Sequence, residues 1–225
     1  MTTFNTKQLL HCTVCPRLVE FREQVAREKT HRFLDWTYWG KPVPGYGDPL
    51  GQLLIVGLAP ARHGGNRTGR VFTGDKSAEF LMKCLHKAGI ANQSNSDHLN
   101  DGLILNNAYM TPVLKCVPPQ DKPTALELKE CFRWFRKEFT SLRNIECILA
   151  LGKIAFDTCV KIWMEEYDLK RKDYHFSHNS IYLLPNNITL VGAYHPSPRN
   201  VNTGRLNEEM MKDLLNNVKG LIDWK

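Results

Sequence analysis

Four short runs rich in Ile, Leu and Val, at residues 53–58, 103–110, 147–151 and 188–194, restrict the folds open to this chain more than any other feature. Each is brief and ends in turn residues, and each reads as a buried strand. Stretches with helical spacing lie between them, at residues 77–88, 124–139 and 153–163, and another follows at 207–221. Strands alternating with helices predict an α/β sandwich around a mainly parallel sheet. A further helix at residues 17–29, with Leu18, Phe21 and Val25 on one side and charge on the other, is expected to pack outside the sheet. The stretch WTYWGKPVPGYGDP, residues 36–49, holds too much Pro and Gly for regular structure and reads as an ordered aromatic loop.

With 225 residues, 42% of them hydrophobic, the chain can bury the core of one domain spanning residues 1–225. No apolar run approaches the roughly 20 residues of a membrane-spanning helix, and the polar start lacks a signal-peptide pattern. A soluble, cytoplasmic protein without membrane contact is expected. A net charge of +7 and a pI near 9.0 favour a polyanionic partner such as nucleic acid, although many unrelated proteins share that balance. Lys115, Lys122, Lys129, Arg133, Arg136, Lys137 and Arg143 form either part of such a surface or an ordinary solvated face.

Seven cysteines are an odd number for a disulfide framework. Cys84, Cys147 and Cys159 sit in apolar contexts, where cysteine acts as a small hydrophobe. Cys12 and Cys15 form a C-x2-C pair followed by Pro16, and Cys116 precedes Cys131 by 15 positions. Two pairs can close one four-thiolate site, which suits tetrahedral zinc or an iron–sulfur cluster, or they are unrelated buried thiols; spacing does not choose among these.

Ligands of open α/β sheets bind beyond the carboxyl ends of the strands. The segments there are GLAPARHGGNRTGRVFTGD (residues 57–75), TPVLKCVPPQDKPT (111–124) and AYHPSPRN (193–200). GGNRTGRV resembles half of a P-loop but has Arg70 and Val71 where Lys and Ser or Thr are needed, which excludes nucleotide hydrolysis. Its glycines suggest either a flexible surface loop or backbone N–H groups brought close to a phosphate or base, with Arg67 and Arg70 adding charge. Asp75 suits a helix N-cap, Phe72 is either core or a ring offered to a base, and His195 falls at the sheet's carboxyl edge.

Together the cysteine pairs, YWGKPVPGYGDP, GLAPARHGGNRTGRVFTGD, KCVPPQDKPT, ILALG and HPSPRNVNTGRL, in that order, resemble the uracil-DNA glycosylase superfamily, and within it family 5, the type b enzymes. The resemblance spans nearly the whole chain. It implies an α/β/α fold with a four-stranded parallel sheet and a 4Fe-4S cluster on Cys12, Cys15, Cys116 and Cys131, with zinc as the runner-up. The cluster would tie residues 1–50 to the rest. The implied activity is removal of uracil, and of hypoxanthine or other damaged bases, from DNA to leave an abasic site. Double-stranded DNA with a mispaired or damaged base is the expected partner, and a monomer the expected state.

By the same resemblance the catalytic residues are Asp75 and His195. Leu58 stands where family 4 has a Glu, so Asp75 substitutes for that polar group. Gly57, Leu58, Ala59, Pro60, Ala61, Phe72 and Asn107 are the candidate substrate contacts. Arg67, Arg70, Ser197, Pro198, Arg199 and Asn200 are the candidate DNA contacts. Pro112 stands where many relatives carry an Asn that can pair with the edge of uracil; reading of the base is then relaxed, or Asn106 or Asn107 compensates. Two rival readings are a non-catalytic nucleic-acid-binding module and a zinc-stabilised enzyme acting on a small nucleotide.

Overall fold

In the computed structural model, which describes residues 4–222 and 224, the expected strands form the centre of one sheet. Strands β2 (Leu53–Gly57), β3 (Ala108–Pro112), β4 (Cys147–Leu151) and β6 (Thr189–Ala193) are parallel neighbours in the order β3-β2-β4-β6. Among the described residues the sheet has six strands rather than four. β1 (Tyr46–Gly47) adds antiparallel to β3, and β5 (Ser180–Leu183) adds antiparallel to β6. The second expected strand is displaced: residues 103–107 lie outside it, and pairing runs instead through Pro112, opposite Gly57.

Alternate side chains of the central strands serve opposite layers, as the pleat requires. Leu53, Ile55, Leu149 and Val191 pack with Leu81, Leu85, Leu214 and Val218 of α4 (Lys76–Lys87) and α8 (Glu208–Gly220). Leu54, Val56, Ile148 and Leu190 pack with Phe132, Phe135, Phe156 and Val160 of α5 (Ala125–Ser141) and α6 (Lys153–Met164). The three-layer sandwich is thus built. Cys84, Cys147 and Cys159 are buried within these layers.

Local chemistry fixes the helix starts. Thr124 and Glu127 close a capping box on α5, and Asn207 caps α8. Pro16 opens α2 (Pro16–Glu28) at its first position, where no N–H is needed. α1 (Thr6–Leu10) and α2 lie outside the sheet, where Leu9 and Leu18 join Leu114, Cys131 and Trp134 in a third apolar cluster. Arg17 clasps Glu127 through two 2.7 Å bonds, so α2 is tied to α5 independently of the cysteines. No helix among the described residues is long and apolar enough to cross a membrane.

Lys115 is not part of a basic face. It is 1% exposed, and its Nζ meets Glu138 Oε2 at 2.5 Å and Thr111 Oγ1 at 2.6 Å. Glu138 also accepts from Gly45 N and Tyr109 Oη, which anchors the aromatic loop against β3.

Candidate active site and thiol centre

The carboxyl ends of β2 and β6 bring the first and last motifs together. His195 follows β6, and its ring lies 5.9 Å from that of Phe72, tilted by 32°. Phe72 itself holds φ +48°, a left-handed conformation unfavourable for a bulky residue and maintained only by its surroundings. Its ring edge rests on Gly57: a Cβ there would come within 2.7 Å of Phe72 Cε2. Gly57 is therefore required for a steric reason.

His195 is partly buried, and desolvation lowers its pKa to about 4, so the imidazole is neutral at ordinary pH. Neither ring nitrogen bonds another residue among those described, which leaves one donor and one acceptor free. The backbone around it is rigid. Its carbonyl accepts from Asn200 Nδ2 at 2.8 Å and from Ser197 N at 2.8 Å. Ser197 caps the short helix α7 (Pro198–Asn202), and Pro198 and Arg199 stand exposed on its outer side.

Asp75 caps α4, with Oδ1 accepting from Ala78 N at 3.0 Å. Burial raises its pKa, opposed by the N–H groups of Ala78 and Ser77. A side chain at Gly64 would collide with Asp75 Oδ2. Asp75 lines a cavity of about 500 Å³ with Phe33, Trp36, Ala61, His63 and Arg67.

Several expected contacts lie elsewhere. Asn107 precedes β3 at the amino end of the sheet, where it exchanges hydrogen bonds with Gln52, so it cannot reach a base at the carboxyl end. Asn106 is at the same end, bonded to the Gly89 carbonyl. Arg70 is 4% exposed and paired with Asp101 at 2.6 Å, with further bonds to Thr73 and Ser96; it is an internal strut. Arg67 is 3% exposed, its guanidinium 3.9 Å from the Phe33 ring centre and 4.0 Å from that of Trp36. Its Nε donates to the His63 carbonyl and its Nη2 to the Gly74 carbonyl, so it braces the peptide before Asp75 instead of facing solvent. The glycines here serve packing: Gly65, which opens the short helix α3 (Gly65–Thr68), fits against Pro60, and Gly69 (φ +82°) against Trp39. Leu58 turns into the α5–α6 layer, and Ala59 packs towards the cysteines.

Sequence reasoning missed His63 and Tyr38. Tyr38 Oη and His63 Nδ1 are 3.0 Å apart, and burial, Arg62 and Arg67 lower the His63 pKa. A histidine in a loop following a parallel strand is the same signal that singled out His195.

Cys12, Cys15, Cys116 and Cys131 line one pocket between α2, α5 and the loop after β3. Arg22 Nη1 donates to Cys116 Sγ at 3.1 Å, Lys115 N to Cys131 Sγ at 3.2 Å and Trp134 Nε1 to Cys12 Sγ at 3.3 Å. Donors of this kind favour thiolates. No group of three His, Cys, Asp or Glu side chains among the described residues is drawn in tightly enough to hold a single ion.

The family profile of the uracil DNA glycosylase superfamily matches residues 44–219. This chain belongs to that superfamily. Among its relatives is a Thermus thermophilus protein named type-5 uracil-DNA glycosylase, 41% identical over 213 residues that cover 95% of this chain and 94% of that one. Proteins of the same name from Pyrobaculum aerophilum and Mycobacterium leprae are 41% and 42% identical, covering 92% and 95% of this superfamily member and 88% and 93% of their own lengths.

Proposed function

We propose that the protein is a monofunctional uracil-DNA glycosylase acting on double-stranded DNA with a mispaired or damaged base, and that it works as a monomer within a single domain. The observation that supports this reading is the apposition of Phe72, whose ring rests on Gly57, and a neutral His195 whose ring nitrogens have no partner among the described residues, at the carboxyl end of the parallel sheet. A base inside a duplex must first be everted, at a cost of a few kcal/mol that a mispair reduces. Phe72 and the Gly57–Ala61 backbone would receive it.

Breaking the N-glycosidic bond leaves negative charge on the base and positive charge on the sugar. His195 donates a hydrogen bond to the base oxygen as that charge grows, through the one N–H that the neutral imidazole keeps. Asp75, as the carboxylate, orients water or offsets the sugar cation. No amine nucleophile is required, so the product is an abasic site in an intact strand. Pro198 and Arg199, exposed on α7, would enter the groove. Pro112 offers no donor and Asn107 is remote, which supports loose reading of the base edge and a range extending to hypoxanthine.

Cys12, Cys15, Cys116 and Cys131 would hold a 4Fe-4S cluster, which fits the shared pocket and its N–H donors. When bound it would cross-link the amino-terminal segment, α5 and the loop after β3; zinc is the alternative that iron and sulfide analysis separates. The catalytic reading is tested by incubating the protein with a duplex holding one G:U pair and then cleaving abasic sites with alkali. A discrete fragment is expected. Intact strands despite tight binding would instead identify a non-catalytic DNA-binding module.

A further inference from the structure

Arg22, on α2, is 4% exposed and touches both cysteine pairs: its Nη1 donates to Cys116 Sγ at 3.1 Å and to the Cys12 carbonyl at 3.2 Å. Among the described residues the one carboxylate within reach, Glu23, stands 3.9 Å from Nη2 with its side chain 49% exposed. The Arg22 Nε–H is buried and has no acceptor among the described residues. Asn66 holds the residue from behind, its Nδ2 donating to the Arg22 carbonyl at 3.1 Å.

A guanidinium does not shed its proton, and a buried cation without an anion is strongly destabilising. Glu23 is too distant and too well solvated to neutralise it. Four protonated thiols offer no charge either. Thiolates carrying a cluster do, with excess negative charge spread over their sulfurs.

We propose that Arg22 is the counter-cation of the thiol centre: it stabilises charge on Cys116, its spare Nε–H supplies a further donor, and it governs how firmly the cluster is held and how readily it is reduced. The proposal rests on the reading of the four cysteines as a cluster site. Arg22 acts through the sulfurs and is a positioning residue.

Arg22→Gln and Arg22→Lys, prepared as holoprotein beside the wild type, test this through iron and sulfide content, decay of the cluster's visible absorbance under a chelator with oxidant, and the midpoint potential. Loss of such an outer partner should speed decay in Arg22→Gln by about ten-fold or more. Its potential should fall, because reduction adds charge that no cation offsets. Arg22→Lys keeps the charge but presents a single point donor, so it should lie between the two. A decay rate and a potential both equal to wild type overturn the assignment, and if Arg22→Gln does not assemble, Arg22→Lys decides on the same criterion. Wild-type protein lacking iron and sulfide overturns the cluster reading itself, before any substitution is made.

Discussion

Replacing His195 by Gln should change how stability responds to acid. Burial lowers the imidazole from 6.5 to about 4 in the native protein. Between those values the unfolded chain binds a proton that the native state refuses, so stability declines as pH falls from the upper value towards the lower. One pH unit corresponds to about 1.4 kcal/mol, so a step from pH 7 to pH 5, which crosses roughly 1.5 units of that window, removes about 2 kcal/mol through His195 alone. His195→Gln has nothing to titrate there and should be spared this loss. For a chain of this size each kcal/mol moves the melting midpoint by about 2–4 °C, so the wild-type midpoint should drop about 4–8 °C further than that of the variant. Thermal melts of both proteins, run in parallel at the two pH values, cancel the contribution of every other group. Parallel curves, or a His195 ring signal titrating near its ordinary value by NMR, would refute the buried neutral imidazole.

Asp75→Asn retains a capping acceptor but loses the charge, so it should slow single-turnover cleavage of a G:U duplex with little change in midpoint. Asp75→Ala should lose about 1 kcal/mol of helix capping as well. In the wild type the raised Asp75 pKa puts full activity above it and loss as pH falls through it, so the acid limb of cleavage should sit above the usual carboxylate range and flatten in Asp75→Asn. Gly57→Ala places a Cβ within 2.7 Å of Phe72 and should cost about 1–3 kcal/mol of stability while weakening cleavage, as melts and single-turnover rates would show. Arg70→Ala leaves the Asp101 carboxylate its backbone N–H donors but no cation and should cost about 3 kcal/mol, seen in denaturant unfolding, without changing the salt dependence of DNA binding by the folded protein.

The sequence made the central sheet legible because β2, β4 and β6 are buried on both faces and their composition says so. β1 and β5 carry no such mark. Tyr46–Gly47 is a two-residue pairing inside a Pro- and Gly-rich loop, and Ser180–Leu183 is an edge strand with one face in solvent. The motif segments were located correctly, but not the direction in which each side chain points. Arg70 reads as a phosphate ligand until its partner, 31 positions away, is seen beside it. Asn107 misleads differently: periodicity placed it inside a strand, whereas it sits before the strand and hence at the wrong end of the sheet. Arg22 had no local signature, since its meaning depends on sulfurs contributed by two distant segments.

Asn200 has a mechanical consequence. It belongs to the same short turn of helix as the solvent-facing Pro198 and Arg199, yet its amide is pegged to the His195 backbone. Under the proposed roles, a load on Pro198 and Arg199 would reach the His195 backbone through the Asn200 amide without crossing the sheet. Duplex contact and placement of the imidazole would then share one hydrogen-bonded turn.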